Sequence, residues 1–306
     1  MLALAAAMAL PLLGPSGSTL RLGVNIAIFA TLAIGLQVIW GFCGQPSLGH
    51  AALYGVGAYA LAILTVRHGM GPWPALAIAT ACGAVAGVLM GLPALRLGVD
   101  QVALVTFALG EVLRVVEANA GFTGGSGGLA GVAPLTFDGR PLVSPGSLYR
   151  PALALVGAAY VAARWLRRSA AGRAMLAVRA DERAARTMGV HPGPLKLLAF
   201  AVGGALAGLA GGFSAAFSGF VSSVSFGIVP SFQIVVMVVL GGLGRLGGAV
   251  FGAAVVLIAD DRLQSHPDVR LGVTGAAMIL VVMGRAGSIR AAGDHLRTRA
   301  RRAFAS

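Results

Sequence analysis

The sequence predicts an all-α protein: a polytopic transmembrane helical bundle of about ten spans, with discontinuous or re-entrant segments and both termini on the cytoplasmic side. Three observations lead there. Of the 306 residues, 57% are hydrophobic and only 11% are charged, against roughly 25% charged in an ordinary soluble domain. The mean hydropathy is +0.86, more apolar surface than a soluble fold of this length could bury. The apolar residues are also gathered into runs, several close to the ~20 residues that a spanning helix needs, with few or no charges inside them.

In chain order the runs fall near residues 1–13, 22–40, 47–66, 73–92, 98–116, 150–166, 197–218, 222–240, 246–260 and 270–283. The first, MLALAAAMALPLL, resembles the apolar part of a signal peptide, but no basic region precedes it and no strong A-x-A site follows. It is read as a short first span. The Gly-rich GGLGRLGG at residues 241–248 separates the eighth run from the ninth.

Charge sets the orientation. Lys and Arg number 23 against 10 acidic residues, a net charge of +13, which in a soluble chain would suggest a nucleic-acid partner. Here the basic residues lie between apolar runs, so the excess is read as positive-inside topology, and no nucleic-acid partner is expected. The two strongest basic segments are residues 164–196, with Arg164, Arg167, Arg168, Arg173, Arg183 and Arg186 among them, and the tail at 285–306. Placing both in the cytoplasm requires two spans within 222–260. Counting six crossings back from the first segment puts the N-terminus inside and residues 121–150 outside. The whole of 1–306 is then one transmembrane domain, with a cytoplasmic loop at 167–196.

Glycine, 46 residues, recurs at small-xxx-small spacing, as in Gly203, Ala207 and Gly211 and in Gly248 and Gly252. Membrane helices use such spacing to bring backbones together. Cys43 and Cys82 sit in apolar surroundings with no metal-ligand spacing, and no internal repeat is evident.

Residues 172–200, GRAMLAVRADERAARTMGVHPGPLKLLAF, predict a surface helix up to Met188, a stop at Gly189 with Pro192 just beyond, and re-entry into the membrane at Lys196. Arg179, Glu182, Ala184, Ala185 and Gly189 carry the chemistry of interest here. Glu182-x-Ala184-Ala185 followed by Gly189 resembles the EAA loop of ABC-transporter permeases, whose short helix docks in a groove of the ATPase subunit. A helix face of small residues can seat in a groove, and the glycine lets the chain turn sharply. The inserted Arg183 and the missing hydrophobic-Pro ending depart from that pattern, so an ordinary basic loop with a solvated helix stands as the alternative.

Further motifs follow in order: GFCGQPSLGHAALYGVGAYA at 41–60, LRLGVDQVALVTFALGEVLR at 95–114, TGGSGGL at 123–129, KLLAFAVGGALAGLAGGF at 196–213 and VVLGGLGRLGGAVFGA at 238–253. Together they look like the LivM-type permeases of branched-chain amino acid ABC importers, over roughly residues 20–285. The resemblance implies a multi-pass subunit of the bacterial inner membrane. Its partners would be membrane lipid, a second LivH-like permease subunit, two cytoplasmic ABC ATPase subunits and an extracytoplasmic solute-binding protein. Importers of urea and short-chain amides share these motifs, and Asp100 and Gln101 depart from the family near Gly98, which leaves the substrate open.

No G-x-x-x-x-G-K-[ST] phosphate loop occurs, so ATP belongs to partner subunits and no cofactor is expected in this chain. No catalytic constellation can be assembled, and an enzyme is not expected. For the translocation path the candidates are Gln45, Ser47 and His50 at a Pro46-interrupted helix start, with Tyr54, Thr106, Glu111 and Arg114. Interrupted helices are tolerated in a membrane only where they are buried in protein or line a cavity; a polar cytoplasmic turn is the other reading. Glu111 and Arg114, three residues apart, share a helix face and can pair. That pair is either structural or part of the path. A self-contained secondary transporter or channel would need an acidic or histidine relay in mid-span, for which Glu111 is the available group.

Overall fold

The computed structural model describes residues 17–263. The runs expected at 1–13 and 270–283 and the basic tail at 285–306 lie outside the described residues. Within them the expected all-α class is what is found. Helix α1 (Gly17–Leu36) continues as a π-helix over Gln37–Phe42. Next come α2 (His50–Val66), α3 (Pro72–Gly91, extended by a 3-10 turn over Leu92–Leu95) and α4 (Val99–Asn119). Beyond the longest connection lie α5 (Pro145–Arg168), the short α6 (Ala170–Ala180) and α7 (Glu182–Thr187), then α8 (Pro192–Ser218), α9 (Ile228–Gly241) and α10 (Leu246–Arg262). Four stretches, Gly17–Phe42, Pro72–Leu95, Pro192–Ser218 and Ser223–Gly241, are long and apolar enough to cross a membrane, and His50–Val66 is a shorter apolar helix.

The helix boundaries have local causes. Ser144 caps α5 by accepting the amide of Ser147 at 3.2 Å, with Pro145 in the first turn. Prolines likewise open α3 and α8. One expectation is corrected: the helix read as continuous to Met188 breaks at Asp181. That residue leaves helical geometry (φ −158°) and accepts the amides of Arg183 and Ala184 at 2.8 and 3.0 Å, starting α7 afresh. A carboxylate capping two free amides outweighs the helix propensity of its neighbours.

Helix α8 lies at the centre, against α1, α2 and α3, while α5 covers α1. The glycine stripe explains how it fits. A Cβ on Gly208 would stand 2.6 Å from the carbonyl oxygen of Ala79 on α3, and one on Gly203 would stand 2.8 Å from the carbonyl of Gly35 on α1. Gly211 meets the Tyr54 carbonyl of α2 in the same way, so three helices approach α8 at backbone distance, where only a hydrogen fits between chains.

One end of the bundle gathers the π-helix, the Leu92–Leu95 turn, α6, α7 and the 242–245 turn. The opposite end carries two small antiparallel pairs, β1 (Leu129–Ala130) with β4 (Phe220–Val221), and β2 (Thr136–Phe137) with β3 (Arg140–Pro141). Leu129 faces Val221, so the connection after α4 is stitched to the one after α8. Arg67 donates to the Gly121 carbonyl at 2.9 Å, and Trp73 Nε1 donates to Thr136 at 2.7 Å, fastening the same end to α2 and α3.

Candidate functional site

Residues 44–49, between the π-helix and α2, are irregular backbone, and Gln45, Ser47 and His50 are buried there. Helix α2 thus starts inside the bundle rather than at its end, as the Pro46 interruption predicts. Its first turn has no side-chain cap. Instead, Thr106 on α4 accepts the Leu48 amide at 3.2 Å and donates to its own helix at Ala103. Ser47 Oγ reaches Met90 Sδ at 3.9 Å. His50 Nε2 lies 3.1 Å from the Leu32 carbonyl. Since a carbonyl only accepts, Nε2 carries the proton and Nδ1 is left as an acceptor. That Nδ1 and Gln45 Oε1 are buried with no hydrogen-bond partner among the described residues. Tyr54, one turn along α2, donates to Ser214 Oγ at 2.6 Å.

Four of the path candidates, Gln45, Ser47, His50 and Thr106, are therefore brought together, with Tyr54 beside them. Glu111 and Arg114 are not. They form the expected ion pair at 2.8 Å on a part of α4 where both side chains remain one third exposed. Sequence reading missed the acid that does turn inward, Glu117, three residues beyond Arg114 and buried against α2.

At the other end the coupling candidates hold quite different positions from one another. Glu182 Oε1 pairs with Arg186 at 2.7 Å, and Oε2 pairs with Lys196 at 2.9 Å. Partial burial pushes its carboxyl up, but the hydrogen bonds from Lys196 and Arg186 prevail and hold it below the usual carboxylate range. Lys196 is buried in α8 and also donates to the Ala94 carbonyl at 2.9 Å. Ala185 faces inward while Ala184 faces out, so the two alanines do not form a single docking face. Outward-facing residues of α7 are Arg183, Ala184, Arg186 and Thr187, with Met188 just beyond at 84% exposure. Gly189 is the stop the sequence predicts: at φ +81° it donates to Arg186, and Val190 donates back to Ala185 at 3.0 Å.

Arg179 turns back to the bundle and donates to the Gly41 carbonyl of the π-helix. The same π-helix holds the 242–245 turn through Gln37, whose Nε2 donates to the Gly242 carbonyl at 2.9 Å and whose Oε1 accepts the Gly244 amide at 2.7 Å. A π-helix has carbonyls out of α-register, and here one of them meets a side chain from α6. Beside this end, a cavity of about 640 Å³ is lined by Arg164, Arg167, Arg168, Arg173 and Arg245.

Apolar helices long enough to cross a bilayer, an interrupted helix with buried polar groups, and a charged pair of short helices pinned to one end define a membrane transport protein. The chain belongs to the family described as branched-chain amino acid transport system / permease component, whose pattern matches residues 18–282. It is 32% identical to the Escherichia coli high-affinity branched-chain amino acid transport system permease protein LivM, over 88% of this chain and 69% of that one. It is 25% identical to the Escherichia coli permease protein LivH of that system, over 85% of this chain and 91% of LivH. The fructose import permease protein FruF of Bifidobacterium longum is 28% identical over 80% of this chain and 69% of its own. No solved structure matches the chain.

Proposed function

We propose that this chain is the transmembrane permease subunit of an ABC importer that carries branched-chain amino acids into the bacterial cytoplasm. In this reading it sits in the inner membrane with the arginine-rich α5–α7 end inside, spans about ten times, and pairs with a second LivH-like permease. Two cytoplasmic ATPases drive it, and an extracytoplasmic binding protein delivers the solute to the end carrying the two small sheets. The observation that carries the reading is the anchoring of α6 and α7. Arg179 reaches the π-helix and Glu182 reaches Lys196 of α8, so displacement of the short helices acts on the two helices beside the interrupted start of α2. The outward faces of Arg183, Ala184 and Met188 are then the contact for the ATPase.

The test is uptake in proteoliposomes by the chain assembled with its partners. ATP-dependent entry of leucine is expected, and D-fructose should not compete. Uptake by this chain alone, without any ATPase, would overturn the reading in favour of a self-contained transporter. Replacing Gly189 by valine forces a side chain into a left-handed backbone. Membrane insertion should survive that change, while coupled uptake falls about tenfold or more, since a displacement of about an ångström is enough to cost that much where groups must meet in register.

A further inference from the structure

Glu117 is the most buried acidic side chain among the described residues, 6% exposed, and neither carboxylate oxygen has a hydrogen-bond partner. It packs on α2 where Gly55 leaves room. A Cβ on Gly55 would stand 2.8 Å from Glu117 Oε1 and 2.9 Å from Phe226 Cγ. One turn further along α2 is Tyr59, also buried; its hydroxyl lies toward Ser223 without closing a hydrogen bond. The Phe226 ring stands between two tyrosines, its centroid 5.8 Å from Tyr59 and 5.1 Å from Tyr54, both edge-on. The cation nearest along the helix, Arg114, already gives its Nε to Glu111.

Arg114 pairs with Glu111, and the buried acid, Glu117, is left without a hydrogen-bond partner among the described residues. Such a group is costly to keep ionised unless a cation meets it, and an unsatisfied buried group in a native structure calls for a functional explanation. A metal ion does not answer, because no group of three His, Cys, Asp or Glu residues that could hold one occurs among the described residues. A primary ammonium does. It is compact, needs one carboxylate, can give a second N–H to a tyrosine hydroxyl, and is attracted to aromatic faces. Phe226 touches Tyr54 as well as Tyr59, which joins the group to the turn of α2 that leads back toward His50.

We propose that Glu117, with Tyr59 and Phe226, is the subsite that receives the α-ammonium group of the transported amino acid. It rests on the functional reading above and adds to it the group that tells an amino acid from an uncharged solute of similar size.

The test labels carboxyls in the assembled wild-type transporter, in lipid nanodiscs, with the apolar reagent dicyclohexylcarbodiimide, and reads Glu117 by peptide mass spectrometry. Glu117 should react. L-leucine and 3-methylbutylamine, which carry the ammonium, should lower that labelling roughly tenfold, the factor that corresponds to one hydrogen bond to a charged group. 4-Methylpentanoate, which keeps the carbon skeleton and carboxylate but lacks the ammonium, should leave it unchanged, as should D-fructose. A Glu117 that never reacts is either closed off or already paired by a neighbouring subunit, and overturns the proposal. Equal protection by 4-methylpentanoate, or none by leucine, overturns it as well. Leucine uptake by the same preparation separates the two ideas. No uptake by wild type counts against the functional reading, whereas normal uptake with unprotected Glu117 counts against the subsite alone. E117Q should assemble normally and lose most leucine uptake; full uptake by E117Q would also refute the assignment.

Discussion

Two charged side chains lie almost equally deep in this bundle, at opposite ends, and they are treated in opposite ways. Lys196, 3% exposed, is met by a carboxylate and a carbonyl, both at 2.9 Å. Glu117, 6% exposed, has no hydrogen-bond partner among the described residues. Burial alone thus does not tell what a charge is for; the count of its partners does. A charge satisfied within the chain holds two elements together, here α7 to α8. A charge left unsatisfied marks a place where something else completes the structure.

The contrast can be broken at four points. Glu182→Gln should have the largest effect, because it leaves buried Lys196 without its counter-charge. A loss of about 3 kcal/mol, the range for breaking a buried pair, should show in the thermal unfolding midpoint in detergent. A midpoint like wild type would mean that the pair is solvated. Next comes Gly55→Ala, whose methyl meets both Glu117 and Phe226. It should cost about 2 kcal/mol, as overpacking does, and less in a Glu117→Ala background, where only the Phe226 contact remains. Additive losses would place the carboxylate elsewhere. Third, Glu117→Gln should raise the melting midpoint slightly, by about 1 kcal/mol of stability, because it removes an unpaired buried acid. The sign is opposite to that of Glu182→Gln, although the chemical change is identical. A fall would show that Glu117 is a structural group after all.

The smallest effect is on pH dependence. The Glu182 carboxyl is held below its ordinary value of 4.5 in the folded chain, so the unfolded chain takes up protons first as pH falls. The stability this group contributes is therefore present above that ordinary value and is lost as pH drops through the lowered folded value. A midpoint that declines on acidification in wild type, and declines less in Glu182→Gln, is the expected outcome. Parallel profiles would remove Glu182 from the account.

Much of this architecture can be read in the residues themselves. Uncharged apolar runs announce the helices because lipid admits few alternatives. Pro46 announces the interruption before α2, and the glycines announce backbone contact. The Glu111–Arg114 pair follows from spacing along one helix. What escaped reading depends on contacts between elements distant in sequence. Glu117 looks like one more interfacial acid at a helix end until Gly55, some sixty residues earlier, is seen to make room for it. The break at Asp181 is a different case, since an aspartate followed by ERAAR carries the signal of a cap. Strong helix formers on both sides hide it. Arg179 is a coupling candidate from the motif, but what it holds cannot be read, because its acceptor is a backbone carbonyl and carbonyls leave no trace in a sequence.

The glycine contacts around α8 have a mechanical consequence. Helices separated by whole side chains can roll and slide as rotamers adjust, but chains touching through carbonyl oxygens and α-carbons have no such slack. Helices α1, α2 and α3 are in this sense geared to α8, and turning one drags the others. The backbone leaves regular α-helix instead at the π-helix and at the 242–245 turn that Gln37 ties to it. A single added methyl group among these backbone contacts should therefore impair uptake more than a lost charge at the rim of the bundle.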